Sequence, residues 1–330
     1  MNASKFSRRR SLLAGMLGAL VACPGRVVLA AEAYPSKPIR LLVPYGPGGI
    51  GDLTARIVAD KMSENMGQRI VIDNRPSAGM SITGEIALHA PADGYTIMHG
   101  GNGTAISASL FKKLPYDVLK DFTQLSALAS IDLVLLVSPD SKFASMKDLM
   151  AFAKTNPGKL TFGTISIGST QNLAAELFRS TFGLEASIVP YKNTSSVIVA
   201  VRSQEVNLGF EFVPAVLTQV QSKTVRALAI ASSRRFVGLP DVPTTAEAGF
   251  PSYRVSGWNM YNVKNGTPRP IIERLNKEII DALKAPEVIQ KLRGQGAEPW
   301  PMTLEEARKH MGAEIARWKA VIEKAKIPLQ

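Results

Sequence analysis

Glycines and hydroxyl residues, rather than acids, bases or thiols, form the motifs of this sequence that could do chemistry. Residues 44–52 read Pro-Tyr-Gly-Pro-Gly-Gly-Ile-Gly-Asp, between an apolar run at 39–43 and a helical pattern at 53–66. So many glycines and prolines cannot extend a strand or a helix, so the segment is predicted to be a bare turn. The first N–H groups of a helix have no intrahelical partner and carry the positive end of its dipole. The turn therefore predicts a binding site for an anion, such as a carboxylate.

The same turn does not match the common nucleotide-binding motifs. It has no Gly-Lys-Ser/Thr ending, which excludes a P-loop, and its glycines do not follow the G-x-G-x-x-G order. A tight connection that serves packing alone is the alternative interpretation of this turn.

Two further turns have the same character. Residues 100–104 read Gly-Gly-Asn-Gly-Thr, and residues 164–170 read Thr-Ile-Ser-Ile-Gly-Ser-Thr. The second precedes a helical pattern at 171–182, for which Ser169 or Thr170 is a suitable N-cap. Strand patterns alternate with helical patterns along the chain, which predicts parallel sheets with ligands beyond the carboxyl ends of the strands. All three turns fall at such ends.

Composition limits the class of protein. The chain has 330 residues, 45% of them hydrophobic, which is enough for two domains with ordinary cores. The formal charge is +12, but the basic residues are scattered among acids, and no nucleic-acid-binding motif is present. The three histidines lie far apart in the sequence, and no metal, cofactor or catalytic residue is predicted.

Residues 1–30 are predicted to be an export signal peptide. Arg8 to Arg10 form a basic start, and an apolar stretch at 12–22 follows that is too short to span a bilayer comfortably. A periplasmic location follows. Cys23, the only cysteine, leaves lipid anchoring open as an alternative, although Pro24 directly after it favours release as a soluble protein.

Strand patterns at 133–138 and 255–263 connect two α/β units of similar size. This double crossing predicts a two-lobed molecule that closes on a ligand by a hinge motion. Lobe 1 is predicted to comprise residues 31–136 and 253–330, and lobe 2 residues 137–252.

A series of short segments runs in order from residue 34 toward the C-terminal helices, and it carries a family resemblance. They are residues 34–40, 43–49, 71–76, 90–95, 114–117, 156–160, 168–170, 189–192 and 239–244. The series resembles the solute receptors of tripartite tricarboxylate transporters, also called Bug receptors. The resemblance implies a monomeric, type II-like periplasmic binding protein without catalysis. It would capture a small mono- or dicarboxylate between its lobes and present it to transporter membrane subunits or to a sensor.

Carried over position by position, the resemblance also implies a ligand site. Its predicted residues are Tyr45, Pro47, Gly48, Gly49, Asp52, Thr104, Ser166, Gly168, Ser169, Thr170, Tyr191 and Glu211. The chain departs from the family pattern at Ala105, Ile167, Asn172 and Glu211-Phe212. These departures predict a ligand with a carboxylate at one end and a more apolar body; drift at positions that do not touch the ligand is the alternative.

An exported α/β hydrolase or transferase acting on a carboxylate is the second hypothesis. The chain has no G-x-S-x-G elbow, because the segment around Ser169 lacks the second glycine. Consumption of the ligand by the purified protein would distinguish this enzyme from a receptor.

Overall fold

The computed structural model describes residues 34–77 and 80–330. The predicted signal peptide, with Cys23, lies outside these residues. Residues 34–330 form one compact unit, and the lobe boundaries given above stay a prediction. The strands are β1 Ile39–Val43, β2 Ile70–Asn74, β3 Thr96–Gly101, β4 Phe122–Val137, β5 Leu160–Ile165, β6 Ala186–Tyr191, β7 Leu208–Phe212, β8 Arg226–Ile230, β9 Ser256–Lys264 and β10 Ala297–Pro299. The helices are α1 Ile50–Met66, α2 Ser81–His89, α3 Asn102–Leu110, α4 Met146–Thr155, α5 Thr170–Thr181, α6 Thr194–Arg202, α7 Val213–Gln221, α8 Arg269–Lys284, α9 Pro286–Gly294 and α10 Leu304–Ala325.

The ten strands of the described chain form one sheet with the order β2-β1-β3-β9-β4-β7-β5-β6, and β8 and β10 both pair with β4. Strands β1, β2 and β3 are parallel at one end, and β5, β6 and β7 are parallel at the other. The long strands β9 and β4 run antiparallel between these two groups. Each parallel group thus has its own carboxyl edge, where the three glycine-containing turns lie.

Strand β4 belongs to both halves of the sheet. Its first part, from Phe122 to Asp132, pairs with β9, and its last part, from Leu133 to Val137, pairs with β7 and β8. The sequence predicted only the last part. The first part contains two register shifts against β9, and such bulges interrupt the two-residue alternation by which a strand is detected.

The C-terminal helix α10 packs on one face of the molecule and contacts α3, α5 and β4. It begins with a capping box, in which the Thr303 hydroxyl accepts from the Glu306 N–H and the Glu306 carboxylate accepts from the Thr303 N–H. Trp318 in this helix is fully buried in the largest hydrophobic cluster. Helix α10 therefore packs against helices from both halves of the sheet.

Candidate functional site

A cavity of about 580 Å³ lies where the N-termini of α1, α3 and α5 converge. Each of these helices follows the carboxyl end of a parallel strand, so their first N–H groups open toward the same space. The lining residues are Pro44, Tyr45, Gly49, Ile50, Gly51, Ser77, Met80, Asn102, Gly103, Ile106, Ser107, Leu110, Phe111, Ile131, Ser166, Ile167, Gly168, Ser169, Thr170, Phe212, Gly257, Trp258, Asn259 and Gln330.

The N-terminus of α1 has no side-chain cap. Its N-cap residue, Gly49, has an ordinary extended conformation, and a Cβ atom added there would meet open space. Gly51 lies against the ring of Tyr45, whose Cδ2 atom would be only 2.5 Å from a Cβ atom at Gly51. The missing side chains thus expose the main chain at Gly49 and let Tyr45 pack against the first turn of the helix.

The N-terminus of α3 follows β3 without a loop. Gly101 has a φ of 154°, and a Cβ atom there would lie 2.1 Å from the carbonyl oxygen of Trp258 on β9. Only glycine allows this close approach of two main chains. It places Asn102, the first residue of α3, at the cavity wall.

The N-terminus of α5 carries hydroxyl groups. The Ser169 hydroxyl caps the helix by accepting from the Asn172 N–H at 3.1 Å. The next residue, Thr170, accepts a hydrogen bond at 2.8 Å from the side-chain amide of Asn102. The α3 and α5 termini are therefore joined by a direct hydrogen bond at the cavity wall.

None of the described side chains that line the cavity is charged at neutral pH. Tyr45 is the lining residue with a shifted pKa, and burial raises that pKa to about 12. Behind Tyr45, burial lowers the pKa of His99 to about 3, so its imidazole is neutral. Helix termini and neutral hydrogen-bond donors are thus the groups available to hold an anion here.

A family model described as "Tripartite tricarboxylate transporter family receptor" matches residues 54–327. The chain belongs to this receptor family. Protein BugT of Bordetella pertussis is 35% identical to the receptor over 313 residues, which cover 94% of this chain and 96% of BugT.

Two solved structures are similar over the length of the receptor. A protein from R. palustris, solved with adipate, has a TM-score of 0.75 and 33% identity, and the match covers 89% of this chain and 99% of that chain. MatC from Rhodopseudomonas palustris, with bound malate, has a TM-score of 0.71 and 28% identity. The match covers 88% of this chain and 100% of MatC. The predicted α/β fold of the two-lobed periplasmic binding protein class is confirmed. The family favours a receptor over the hydrolase or transferase considered as the alternative.

Six of the predicted site residues of the receptor line the cavity together, from both halves of the sheet. They are Tyr45, Gly49, Ser166, Gly168, Ser169 and Thr170. The sequence had singled out the turns that hold them, because glycine and hydroxyl residues at strand ends are visible in the sequence.

The other six predicted residues lie outside the lining. Pro47 and Gly48 belong to the same turn as Gly49 but do not reach the cavity wall. The Thr104 hydroxyl accepts from the Gly101 N–H, and the Tyr191 hydroxyl donates to Glu205.

Glu211 is fully buried under α5, where Gln171 donates to it at 3.2 Å. Burial raises the pKa of the Glu211 carboxyl, an effect that hydrogen bonds from its neighbours oppose. Its assignment to the site, like the other assignments in this set, stays a prediction.

Several lining residues were missed by the sequence reasoning. Met80, Asn259 and Gln330 reach the cavity from segments that were assigned no role, and Asn102 was not predicted individually. Asn102 lies inside the predicted second turn, so the glycines on either side of it could have indicated that it lines the site. Asn259 and Gln330 come from a central strand and the C-terminal segment, where nothing in the local pattern points to a ligand.

Asp52 organises the first turn from behind. Its carboxylate accepts from the Gly48 N–H at 2.9 Å and from the Arg56 guanidinium at 2.8 Å. Asn74 donates to the other carboxylate oxygen at 2.8 Å and to the Tyr45 carbonyl at 2.9 Å. Burial raises the pKa of Asp52, but these hydrogen bonds outweigh that effect and lower it to about 2.

We expect Asp52→Asn to lower the free energy of unfolding by about 2 kcal/mol at pH 7, because the hydrogen bonds of the folded state stabilise the ionised Asp52 carboxylate. A lowered folded-state pKa gives stability that is present above the unfolded value and is lost as pH falls toward 2. Urea unfolding of both proteins should therefore show a difference that shrinks between pH 5 and pH 2. A difference that stays constant over this range would contradict the role assigned to the charge.

Within residues 34–77 and 80–330, no group of three or more His, Cys, Asp or Glu side chains could hold a metal ion. In the same ranges, none of the helices combines the length and apolarity needed to cross a membrane.

Proposed function

We propose that this protein is a periplasmic receptor that binds a small organic carboxylate in the cavity between α1, α3 and α5, without turnover. The observation that carries the proposal is the convergence of three helix N-termini on one cavity whose described lining has no charged side chain. Positive helix ends and unpaired N–H groups favour an anion, and acids or bases that would act as catalysts are missing from the lining. Similar receptors solved with adipate and malate support a carboxylate as that anion.

The carboxylate group is proposed to lie between the N-termini of α5 and α1, next to Ser169, Thr170 and the exposed main chain at Gly49. The Thr170 hydroxyl and the first N–H groups of α5 are donors at this wall, whereas the Ser169 hydroxyl donates to the Ile165 carbonyl and accepts from the Asn172 N–H. Each hydrogen bond to a charged group contributes about 1.5–3 kcal/mol net. Two or three of them give about 3–9 kcal/mol, so micromolar affinity, about 8 kcal/mol after the cost of association, also requires contacts to the rest of the ligand.

The remainder of the ligand is proposed to contact an apolar wall. Ile50, Ile106, Leu110, Ile131 and Phe212 line the cavity from α1, α3, β4 and β7. A second carboxylate placed against these side chains would lose its hydration without gaining a counter-charge. The cavity therefore suits an acid with an apolar body.

A matched ligand series tests this specificity. We expect hexanoate, which is adipate with one carboxylate replaced by a methyl group, to bind at least as tightly as adipate. Malate, which is polar along its whole length, should bind about tenfold or more weakly than hexanoate. Calorimetry at one pH and salt concentration measures all three; binding of malate and adipate with no binding of hexanoate would contradict the apolar wall.

Binding without turnover is tested on the same samples. A ligand at one hundred times its Kd should raise the free energy of unfolding by about 2.7 kcal/mol. After prolonged incubation, the ligand should be recovered unchanged. Disappearance of the ligand would favour the exported hydrolase or transferase instead. Delivery to transporter membrane subunits or to a sensor is proposed from the family.

A further inference from the structure

Trp318 fixes the orientation of a side-chain amide at the cavity wall. Its indole Nε1 atom lies 3.0 Å from Asn102 Oδ1 and 3.1 Å from a carboxylate oxygen of Glu314. An indole N–H can only donate, so both atoms facing it must be acceptors. The oxygen of Asn102 therefore faces α10, and its NH2 group faces the cavity side.

The orientation of Asn102 in turn fixes the Thr170 hydroxyl. Asn102 Nδ2 lies 2.8 Å from Thr170 Oγ1, and an amide NH2 can only donate. Thr170 is thus the acceptor in this bond, and its own proton is directed elsewhere. Within the described residues, Thr170 donates no hydrogen bond, and both it and Asn102 line the cavity.

We infer that Trp318 and Asn102 are positioning residues that make the Thr170 hydroxyl a hydrogen-bond donor toward the ligand, so that the site selects a deprotonated acid over its neutral amide. The inference rests on the proposed function. Trp318 is fully buried and Asn102 is 4% exposed, so water does not compete freely for either bond. The three hydrogen-bonded side chains also join α10, α3 and α5, which come from both halves of the sheet.

The selectivity has a direct physical cause. A carboxylate offers only acceptor atoms, so it gains from a wall of donors. If Asn102 were free to turn over, its oxygen would accept the Thr170 proton, and a hydroxyl lone pair would face the ligand. A neutral amide ligand could still donate to that lone pair, whereas a carboxylate would be repelled by it.

The test compares each acid with its amide: hexanoate with hexanamide, adipate with adipamide, and malate with malamide. The pair whose acid binds the wild type most tightly is then measured on Trp318→Phe, which removes the indole N–H. We expect the ratio of acid affinity to amide affinity to fall about tenfold, with the loss on the acid side. Trp300→Phe is the control, because the Trp300 indole N–H donates no hydrogen bond within the described residues, and its ratio should stay at the wild-type value.

Asn102→Ala decides the matter if the buried Trp318→Phe change prevents folding. Alanine removes the amide that donates to Thr170 without adding a charge at the cavity wall, so the Thr170 hydroxyl can turn a lone pair toward the ligand. The acid-to-amide ratio should then fall by about three- to tenfold. A ratio within twofold of wild type in a folded variant overturns the inference and leaves the carboxylate receptor in place. If the wild type binds none of the three acids, the proposed function fails and the inference fails with it.

Discussion

Gly49→Asp should abolish carboxylate binding while leaving the protein slightly more stable. The side chain would enter open space at the N-cap of α1, where the backbone already has the extended conformation that a capping aspartate adopts. A good N-cap residue exceeds glycine by a few tenths of a kcal/mol, and loss of glycine flexibility adds a similar amount. The new charge, however, would lie at the cavity wall. Two like charges about 4–5 Å apart repel by about 3–4 kcal/mol at an effective dielectric constant near 20, which predicts a loss of affinity of more than a hundredfold.

Gly49→Asn distinguishes the effect of the added charge on affinity from the effect of the added side-chain volume. Asparagine caps a helix about as well as aspartate and occupies the same space. We expect both variants to gain the same stability in urea unfolding, but the asparagine variant should keep its affinity to within about tenfold. Equal affinities in the two variants would show that the anion does not bind beside α1.

Gly101→Ala should be strongly destabilising, with a loss of about 3 kcal/mol or more in the free energy of unfolding. The methyl group would lie 2.1 Å from the Trp258 carbonyl oxygen, and the φ of 154° is unfavourable for any side chain. Neither partner can move away easily, because Gly101 pairs with Asn259 in the central sheet. Ligand affinity should fall as well, since Asn102 and Trp258 both line the cavity.

Gly46→Ala is the matched control for Gly101→Ala. A Cβ atom at Gly46 meets nothing within 4 Å, and its φ is not in the left-handed region. Its free energy of unfolding should stay within about 0.5 kcal/mol of wild type in urea unfolding. A loss below about 1 kcal/mol in Gly101→Ala would mean that β3 and β9 can separate locally.

Much of the fold could be predicted because its helices have local sequence signals, such as apolar residues at helical spacing and suitable capping residues. Helix α5 was predicted at 171–182 and is observed at Thr170–Thr181, because a hydroxyl residue that suits an N-cap precedes its helical pattern. The glycine turns were found for a similar reason, since they cannot continue either neighbouring element. Their placement at one cavity then followed from the parallel strand ends.

The missed features depend on contacts between distant residues. The first half of β4 has bulges that hide its alternation. The second turn was predicted as a loop through residue 104, but α3 begins at Asn102, because the contact of Gly101 with β9 lets the chain pass directly from strand to helix. The bonds of Asp52 to Arg56 and Asn74 behind the turn could not be predicted either, because they need β2 beside α1; the place of Asp52 in the ligand site stays a prediction.

The uncharged lining has a consequence for how the protein responds to acidity. Among the described lining residues, Tyr45 alone has a shifted pKa, at about 12. The field of main-chain dipoles that attracts the ligand has no proton to gain or lose. As pH falls, the affinity of the site for the ionised solute should stay constant. The amount captured then depends on the fraction of the solute that still carries its negative charge.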